Sequence, residues 1–583
     1  MLRGPDERLK AIATLLVAVL VAIVVRLFWL QVLDHEQYQA AAQELLSVPY
    51  SMSRASWGVI LDRNGDLLVG NTRTYDVSVH IDSQTPVTAP MVLASALGVP
   101  EQDIAPTLKL GGTDSRVGWR LLQPQVSPAV SDAVSATIRA KGWTEWVTLT
   151  PSWMRFYPEG ALACHLLGGV TENGNGYGVQ AAMVRLLKGV DVMESRAHAA
   201  WGAPYPEGIV EEGIRYPQSG VDLRLTIDRT LQAYVEGELD KAIVESGAAG
   251  GTIVVINPST GEILAVASRP GYEPARFQEY LEQGKTDVLS DPAASKVYEP
   301  GSVLKVVTVA AALDSGTIDT NWSFDDTGYL EYGGVPIRNW DGQGYGLQGL
   351  QGVLDNSLNT GVATITTKFM GASAFYRYLV AFGFGKPTNL EVTGEAAGLL
   401  HLPTDLDWSD SNLATNAFGQ GISVTPLQMA AAVGVIANEG RAMQLHVVAE
   451  RRYPDGTVVQ VPAKELSRPI SAETAQYVSE LMVKTVSERL TMAAVPGYRI
   501  AGKSGTAQIP IAGGYDPTEV IASFIGFGPV PDPQVLILVK IDRPQVAREV
   551  RWGTRVAAPV FQRVMARTLV LLGIPPADWQ PGP

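Results

Sequence analysis

At 583 residues, 46% hydrophobic and 18% charged, with 58 glycines and 37 prolines, the chain is too long for one hydrophobic core and too apolar for disorder. Its 45 Lys and Arg against 59 Asp and Glu give a formal charge of −14, and no basic cluster outside the N-terminus offers the footprint that nucleic acid requires. The one cysteine, Cys164, excludes an internal disulfide and a cysteine-rich zinc site and is silent on compartment.

The first element in the chain predicts a membrane anchor. "MLRGPDERLK" carries Arg3, Arg8 and Lys10, and an apolar run follows from Ala11 to Leu33. Arg26 and Gln31 lie toward its far end, and Phe28 and Trp29 suit an interface. At ~1.5 Å per residue, such a helix crosses a hydrocarbon core of about 30 Å. Residues 1–10 are then a cytoplasmic tail, residues 11–33 contact the lipid bilayer, and the remainder is exported. A cleaved signal peptide is the alternative, against which the length of the apolar run speaks.

From residue 34 to about 220 the chain reads as irregular. Short strand-like runs, "WGVILDRNGDLLVGN" and "YDVSVHI", alternate with turn clusters such as "DRNGD", "GGTDS" and "NGNGYG". "SPAVSDAVSATIRAKG" and "VQAAMVRLLKG" read as helices. The Pro- and Gly-rich stretch "AWGAPYPEGIVEEGIRYPQSG" predicts a boundary near 220.

Beyond it the pattern is regular, from residue 221 to about 575, with residues 576–583 left as a tail. "DRTLQAYVEGELDKAIVES" is an amphipathic helix, and "GTIVVINPSTGEILAVAS" is a hairpin. "ASFIGFGPVPDPQVLILVKID" repeats the hairpin design late in the chain. "VTPLQMAAAVGVIANEG" is a marked helix: Thr425 caps it, Pro426 opens it, Gln428 completes a capping box and Gly440 follows its end. "APVFQRVMARTLVLLGI" closes the domain. Strands at both ends with helices between predict an antiparallel sheet whose two hairpins meet, with an all-helical lobe inserted.

Three motifs carry chemistry. In "VYEPGSVLKVVTVAAAL", Ser302 and Lys305 sit at the start of an apolar helix, on one face at i and i+3. A serine hydroxyl is a weak nucleophile until a base takes its proton, and burial would favour the neutral lysine that can do so. Free N–H groups at the helix start suit a developing oxyanion. Such a spacing arises by chance about once in a chain of this composition. Its companions carry the weight: Ser357-Leu358-Asn359 in "LDNSLNTG", and Lys503-Ser504-Gly505-Thr506 in "IAGKSGTAQ". Ser-x-x-Lys, Ser-x-Asn and Lys-Ser-Gly each occur once, in that order, which is the motif set of penicillin-binding proteins and class A β-lactamases. Ser357 can relay a proton, and Asn359 can hold a substrate amide. Lys503, Ser504 and Thr506 form a cationic, hydroxyl-rich strand edge suited to a carboxylate, and Gly505 would let a substrate backbone approach.

With these residues the chain closely resembles the class B penicillin-binding proteins, monofunctional peptidoglycan D,D-transpeptidases of the bacterial envelope. The likeness also covers "RLFWLQVLDHEQY", "RFYPEGALACHLLGGV", "INPSTGEILAVASRPGYEP", "GQGISVTPLQMAAA" and "PVFQRV". It implies an α+β extracytoplasmic pedestal over residues 34–220 and an α/β transpeptidase domain over 221–575. It implies Ser302 as the acylated nucleophile and Lys305 as its base, with the backbone N–H groups of Ser302 and Thr506 as the oxyanion hole. The donor would be a peptidoglycan stem peptide ending in D-Ala-D-Ala, which β-lactams mimic, and no metal or other cofactor is implied. The location would be the cytoplasmic membrane, N-terminus inside, beside a membrane-embedded glycosyltransferase of the RodA or FtsW type. Trp57 stands where relatives often have Arg and Gln180 where they often have Glu, which puts the family's salt bridges there in question. A D,D-carboxypeptidase, β-lactamase or β-lactam sensor would carry the same motifs, and a non-catalytic scaffold would be free to lose them.

Overall fold

The computed structural model describes residues 5–29, 51–81, 85–109, 118–171, 173–194 and 217–576. The "GGTDS" turn, most of the proposed boundary stretch before residue 220, and the C-terminal tail beyond Pro576 lie outside these. Residues Pro5–Phe28 form one helix. Among the described residues no helix is long and apolar enough to cross a membrane.

By contacts the chain divides into two units, neither contiguous: residues 1–56, 72–154 and 189–219 form one, and 57–71, 155–188 and 220–583 the other. The first unit is built on the later part of the strand Leu67–Ile81, from residue 72 onward, where Tyr75–Ile81 pair with Gly118–Val126. Two runs read separately in the sequence thus fuse into a single strand of 15 residues. Helices Ala89–Leu97 and Pro128–Lys141 close its core around Val77, Val79, Leu93, Val134 and Ile138. Ser127 caps the second helix through the Val130 N–H, and Gly142 ends it at φ 69°, as its sequence predicts. The "VQAAMVRLLKG" segment, which belongs to the second unit, is broken into Gly178–Ala182 and Val184–Leu187, because Met183 leaves helical geometry.

The second unit carries the site. Its main sheet has five antiparallel strands: β1 (Gly250–Ile256), β2 (Ile263–Arg269), β3 (Ala501–Ile511), β4 (Gly514–Gly528) and β5 (Val535–Asp542), in the order β2-β1-β5-β4-β3. The two predicted hairpins do meet, β1 pairing with β5 from Gly250–Asp542 to Ile256–Leu536. Every residue of β1 is buried, so both faces of the sheet must be covered. The alternation of side chains divides the coverage. Ile253, Val255, Ile537 and Val539 pack with α1 (Arg229–Ser246) and, from the far end of the chain, with Phe561 and Met565. Val254, Ile256, Leu536 and Leu538 join the opposite core, which holds α2 (Lys305–Asp314) and α3 (Pro426–Ala437). Helix α4 (Ala472–Glu488) adds Val478 and Met482 to that core, and α5 (Ala558–Leu571) supplies Phe561 and Met565 to the first. The predicted capping box of α3 is formed, Thr425 and Gln428 each accepting from the other's backbone N–H.

The inserted lobe is not all-helical. Strands Ser323–Asp326 and Gly346–Gly349 pair, as do Tyr329–Tyr332 and Val335–Arg338. Glycines at 328, 333, 334 and 346 with positive φ turn these short ribbons, whose strands are too brief to register as period-two runs.

Candidate active site

Helix α2 is buried from Lys305 to Ala312 and apolar apart from Lys305, Thr308 and Asp314, and the turn before it, Gly301–Leu304, is a 3₁₀ turn. In that geometry residues three apart eclipse, so Ser302 stays on the side of Lys305. Ser302 is half-buried, and its hydroxyl has no hydrogen-bond partner among the described residues. Lys305 is fully buried. Its ammonium donates to the Ser357 carbonyl at 2.5 Å, to Asn359 Oδ1 at 2.7 Å and toward Ser357 Oγ at 3.2 Å. Lys503 approaches the same Oγ at 3.1 Å and also donates to the Ser504 carbonyl.

Ser357 is therefore the hub of the site. It holds a left-handed backbone, φ 53°, between Leu350–Asp355 and the helix Asn359–Thr364. For a non-glycine residue that conformation costs roughly 1–2 kcal/mol, and here it turns carbonyl and hydroxyl of one residue toward one amine. Asn359 Nδ2 donates to the Arg338 carbonyl, which orients its oxygen toward Lys305. Next to it, Thr360 donates to Asp326, a buried carboxylate that also accepts from Asn339, the Gly328 N–H and the Tyr345 N–H. This hub ties the motif to the ribbon that carries Trp340 and Tyr345.

Strand β3 is the open edge of the sheet, so one side of its backbone is not paired by another strand. Ser302, Ser357, Lys503, Ser504, Gly505 and Thr506 line one cavity of about 360 Å³. Lys305 and Asn359 stand behind that wall, joined to it through Ser357. Gly505 also answers a packing need: a Cβ there would meet Ser523 Oγ at 2.5 Å and Val303 at 3.0 Å. Thr506 Oγ1 accepts from the Gly553 N–H.

The electrostatics follow from burial. Desolvation, with the positive charge of Lys503 second, holds the Lys305 ammonium well below the usual lysine range. Burial lowers Lys503 to about 8, with Asp355 opposing the shift. Three acceptors about Lys305 suit an ammonium, but one is a hydroxyl that can turn and donate instead. A neutral Lys305 then keeps two N–H bonds, to the Ser357 carbonyl and Asn359, and turns a lone pair to a hydroxyl. The pair of lysines and two hydroxyls can thus move a proton without moving the backbone.

Several participants lie outside the three catalytic motifs. The loop at 417–421 grips the nucleophile turn: Gly301 N–H donates to Gly419 O at 3.0 Å, Thr308 Oγ1 to Ala417 O, and Gly421 N–H to Glu299 Oε1 at 2.9 Å. Gly419 has φ 81°, and a Cβ on it would meet the Gly301 carbonyl at 2.3 Å. The cavity is completed by Trp340, Tyr345, Asp355, Asn356, Arg489, Leu490, Trp552 and Thr554. Trp340 and Trp552 meet edge to face at 5.5 Å. Glycines at positive φ and a tryptophan in a turn were the available signals. Among the described residues no group of three His, Cys, Asp or Glu side chains is placed to hold a metal ion.

Away from the site, Arg155 is half-buried without a carboxylate in hydrogen-bond reach. It donates to Gln180 Oε1, the Gly58 carbonyl and Asn71, and lies 5.4 Å over the Trp57 ring. Burial lowers it to about 10. The two departures from the family pattern, Trp57 and Gln180, are the neutral partners of one arginine.

An edge strand carrying Lys-Ser-Gly-Thr beside a buried Ser-x-x-Lys helix defines a serine acyl-transfer site of the penicillin-recognising kind. Residues 251–566 match the penicillin-binding protein transpeptidase domain, and residues 53–183 match the penicillin-binding protein dimerisation domain. Stage V sporulation protein D of Bacillus subtilis is 31% identical, over 98% of this chain and 86% of its own. A probable peptidoglycan D,D-transpeptidase, PbpC of Pseudomonas aeruginosa, is 31% identical over 99% of this chain and 97% of its own. Among solved structures, penicillin-binding protein 3 of Mycobacterium tuberculosis complexed with aztreonam superposes with a TM-score of 0.67 at 26% identity, covering 90% of this chain and 98% of its own. A peptidoglycan synthetase from Bifidobacterium adolescentis does so with a TM-score of 0.72 at 26% identity, covering 91% and 98%. The chain belongs to the penicillin-binding protein transpeptidase family, as a class B member with a dimerisation domain ahead of the catalytic one.

Proposed function

We propose that the protein is a peptidoglycan D,D-transpeptidase that cross-links stem peptides through a serine acyl-enzyme. The observation that carries this is Lys305, fully buried, its pKa depressed, and held by Ser357 and Asn359 behind the cavity that Ser302 faces.

Neutral Lys305 takes the Ser302 proton as Ser302 Oγ bonds to the carbonyl carbon between the two D-Ala residues. The backbone N–H groups of Ser302 and Thr506 receive the oxyanion, and Ser504 and Thr506 hold the terminal carboxylate with Lys503 behind them. The C–N bond breaks, and the proton returns through Lys305 and Ser357 to the departing D-Ala amine. Ser357 then takes the proton of the attacking amine of a second stem peptide and passes its own through Lys305 to Ser302 Oγ as the ester bond breaks. That amine closes the new amide and releases Ser302. A β-lactam acylates Ser302 by the same steps and keeps its leaving group tethered.

Residues 11–33 anchor the chain in the cytoplasmic membrane, with residues 1–10 inside and the pedestal, 34–220, and the catalytic domain, 221–575, outside. The support is the basic flank and apolar composition of that segment, together with Leu16, Leu20, Val24 and Phe28 standing exposed on the described helix. The same apolar surface meets a glycosyltransferase of the RodA or FtsW type. Replacement of the segment by an unrelated anchor is expected to abolish co-purification, and undiminished recovery would overturn the partnership.

Fluorescent penicillin tests the chemistry. The wild type is expected to be labelled, with an adduct lasting many minutes, and Ser302→Ala is expected to stay dark. Rapid turnover of the drug would make the protein a hydrolase, and an unlabelled wild type would make it a scaffold.

A further inference from the structure

The cavity that holds Ser302 contains a second kind of cation. Lys305 and Lys503 are buried and their ammonium groups are engaged by Ser357, Asn359 and the Ser504 carbonyl. Arg489 is different. It is the first residue beyond α4, its backbone N–H bonded to the Thr485 carbonyl, and its side chain is exposed on the cavity wall. The guanidinium has no acceptor, carboxylate or ring partner among the described residues. Asp355, which lines the same cavity, instead accepts at Oδ1 from Gln351 at 2.8 Å and Thr485 at 2.7 Å, and Asp341 accepts from the Tyr345 hydroxyl at 2.8 Å. Tyr345 lines the cavity too and feels the arginine's charge.

An arginine presents five donors in a planar fork that matches a carboxylate, and it stays charged at every working pH. Placed unpaired in a cavity whose other cations are the buried, hydrogen-bonded Lys503 on its wall and Lys305 behind it, it is a receptor for an anion that the protein does not supply. From this we infer that Arg489 binds a second carboxylate of the peptide substrate, distinct from the terminal one that Ser504 and Thr506 would hold. The inference rests on the transpeptidase reading and adds a specificity to it: stem peptides bearing a side-chain or acceptor-side carboxylate are preferred over those in which that group is neutral.

The donor and the acceptor peptide could each bring that carboxylate, and two arms distinguish them. In the first, acylation rate constants of the full chain, Arg489→Gln and Arg489→Lys are measured with benzylpenicillin and with carbenicillin, the same scaffold carrying one further carboxylate. In the second, the acyl-enzyme formed from a D-Ala-D-Ala peptide is resolved by 6-aminohexanoate or by its amide. The ratio of the charged to the neutral reagent is expected to fall about tenfold in Arg489→Gln in one arm, the size of one lost charge-assisted hydrogen bond, with partial retention in Arg489→Lys. The arm that responds names the peptide. Equal ratios in wild type and Arg489→Gln in both arms overturn the inference while leaving the transpeptidase intact. A wild type that takes up neither penicillin overturns both.

Discussion

Lys305 and Lys503, two buried lysines from a helix and a strand far apart in sequence, converge on one hydroxyl: their Nζ atoms lie 3.2 and 3.1 Å from Ser357 Oγ. Two like charges so placed cannot both be held at the ordinary lysine pKa. The positive charge of Lys503 pushes Lys305 down beyond what burial alone does. One amine is thereby made available as a base while the other remains a cation near neutrality.

Acylation by penicillin is expected to follow a bell-shaped pH profile. Lys305 must be neutral, so the rate climbs as pH rises through its depressed pKa. Lys503 serves as a cation, so the rate falls again above about 8. Lys503→Met removes the charge that disfavours protonated Lys305, which raises the Lys305 pKa and moves the acidic limb to higher pH. The two apparent values belong to the pair, and the pH dependence of stopped-flow acylation reads them. An acidic limb unmoved in Lys503→Met would contradict the coupling.

Ser357 joins a strained backbone to a chemical role, and two substitutions separate them. Ser357→Ala and Ser357→Gly both remove the hydroxyl and should both slow acylation by about 100-fold. Glycine also relieves the φ of 53°, so Ser357→Gly should unfold about 1 kcal/mol less readily than Ser357→Ala. Denaturant unfolding of the pair checks this. Equal stabilities would mean that the backbone carries no strain.

Gly419 touches no substrate but sits against the backbone that aims Ser302. A methyl there would press on Gly301 O and N at 2.3 and 2.5 Å, so the turn must shift. Gly419→Ala should cost about 1–3 kcal/mol of stability and slow acylation about 100-fold, since misaiming a nucleophile by an ångström is enough. A stable, fully reactive variant would show that the turn before α2 is not held by this contact.

The Arg155 cluster gives a prediction opposite to the family pattern. Simple charge pairing predicts that Gln180→Glu stabilises the half-buried arginine. Gln180, however, also donates Nε2 to the Gly168 carbonyl at 2.7 Å and to Tyr157 at 2.9 Å. A carboxylate would face that carbonyl without a proton to offer. Gln180→Glu should therefore give no rise in melting temperature, and Gln180→Ala should lose about 1–3 kcal/mol by leaving Arg155 Nε unpaired and Gly168 O with only the long 3.5 Å bond from the Tyr157 hydroxyl. A clear rise in Gln180→Glu would refute this account.

Much of the framework was legible in local chemistry. Thr425 with Gln428 announces its helix because capping is settled within a few residues. The runs at 252–268 and 522–542 read as hairpins because their residues are apolar on both faces and turn at Pro, Asp and Gly. The ribbons around 323–349 did not, being short strands turned by glycines inside a segment otherwise helical. The break at Met183 and the fusion of two runs into Leu67–Ile81 were likewise tertiary outcomes, since neighbours decide whether a marginal stretch continues.

The order of residues alone determined which groups could do chemistry here: an alcohol with an amine three positions on, a hydroxyl paired with a carboxamide, and a second amine on a strand with hydroxyls. It could not determine which of them meet. That Lys503 reaches Ser357 rather than solvent, that Gly505 packs on Val303, that Gly419 steadies Ser302, and that Arg489 stands unpaired in the cavity are all contacts across long stretches of chain. Spacing within one helix is dictated by its pitch, whereas distance between elements is dictated by how the sheet and its two helical layers bury their apolar faces.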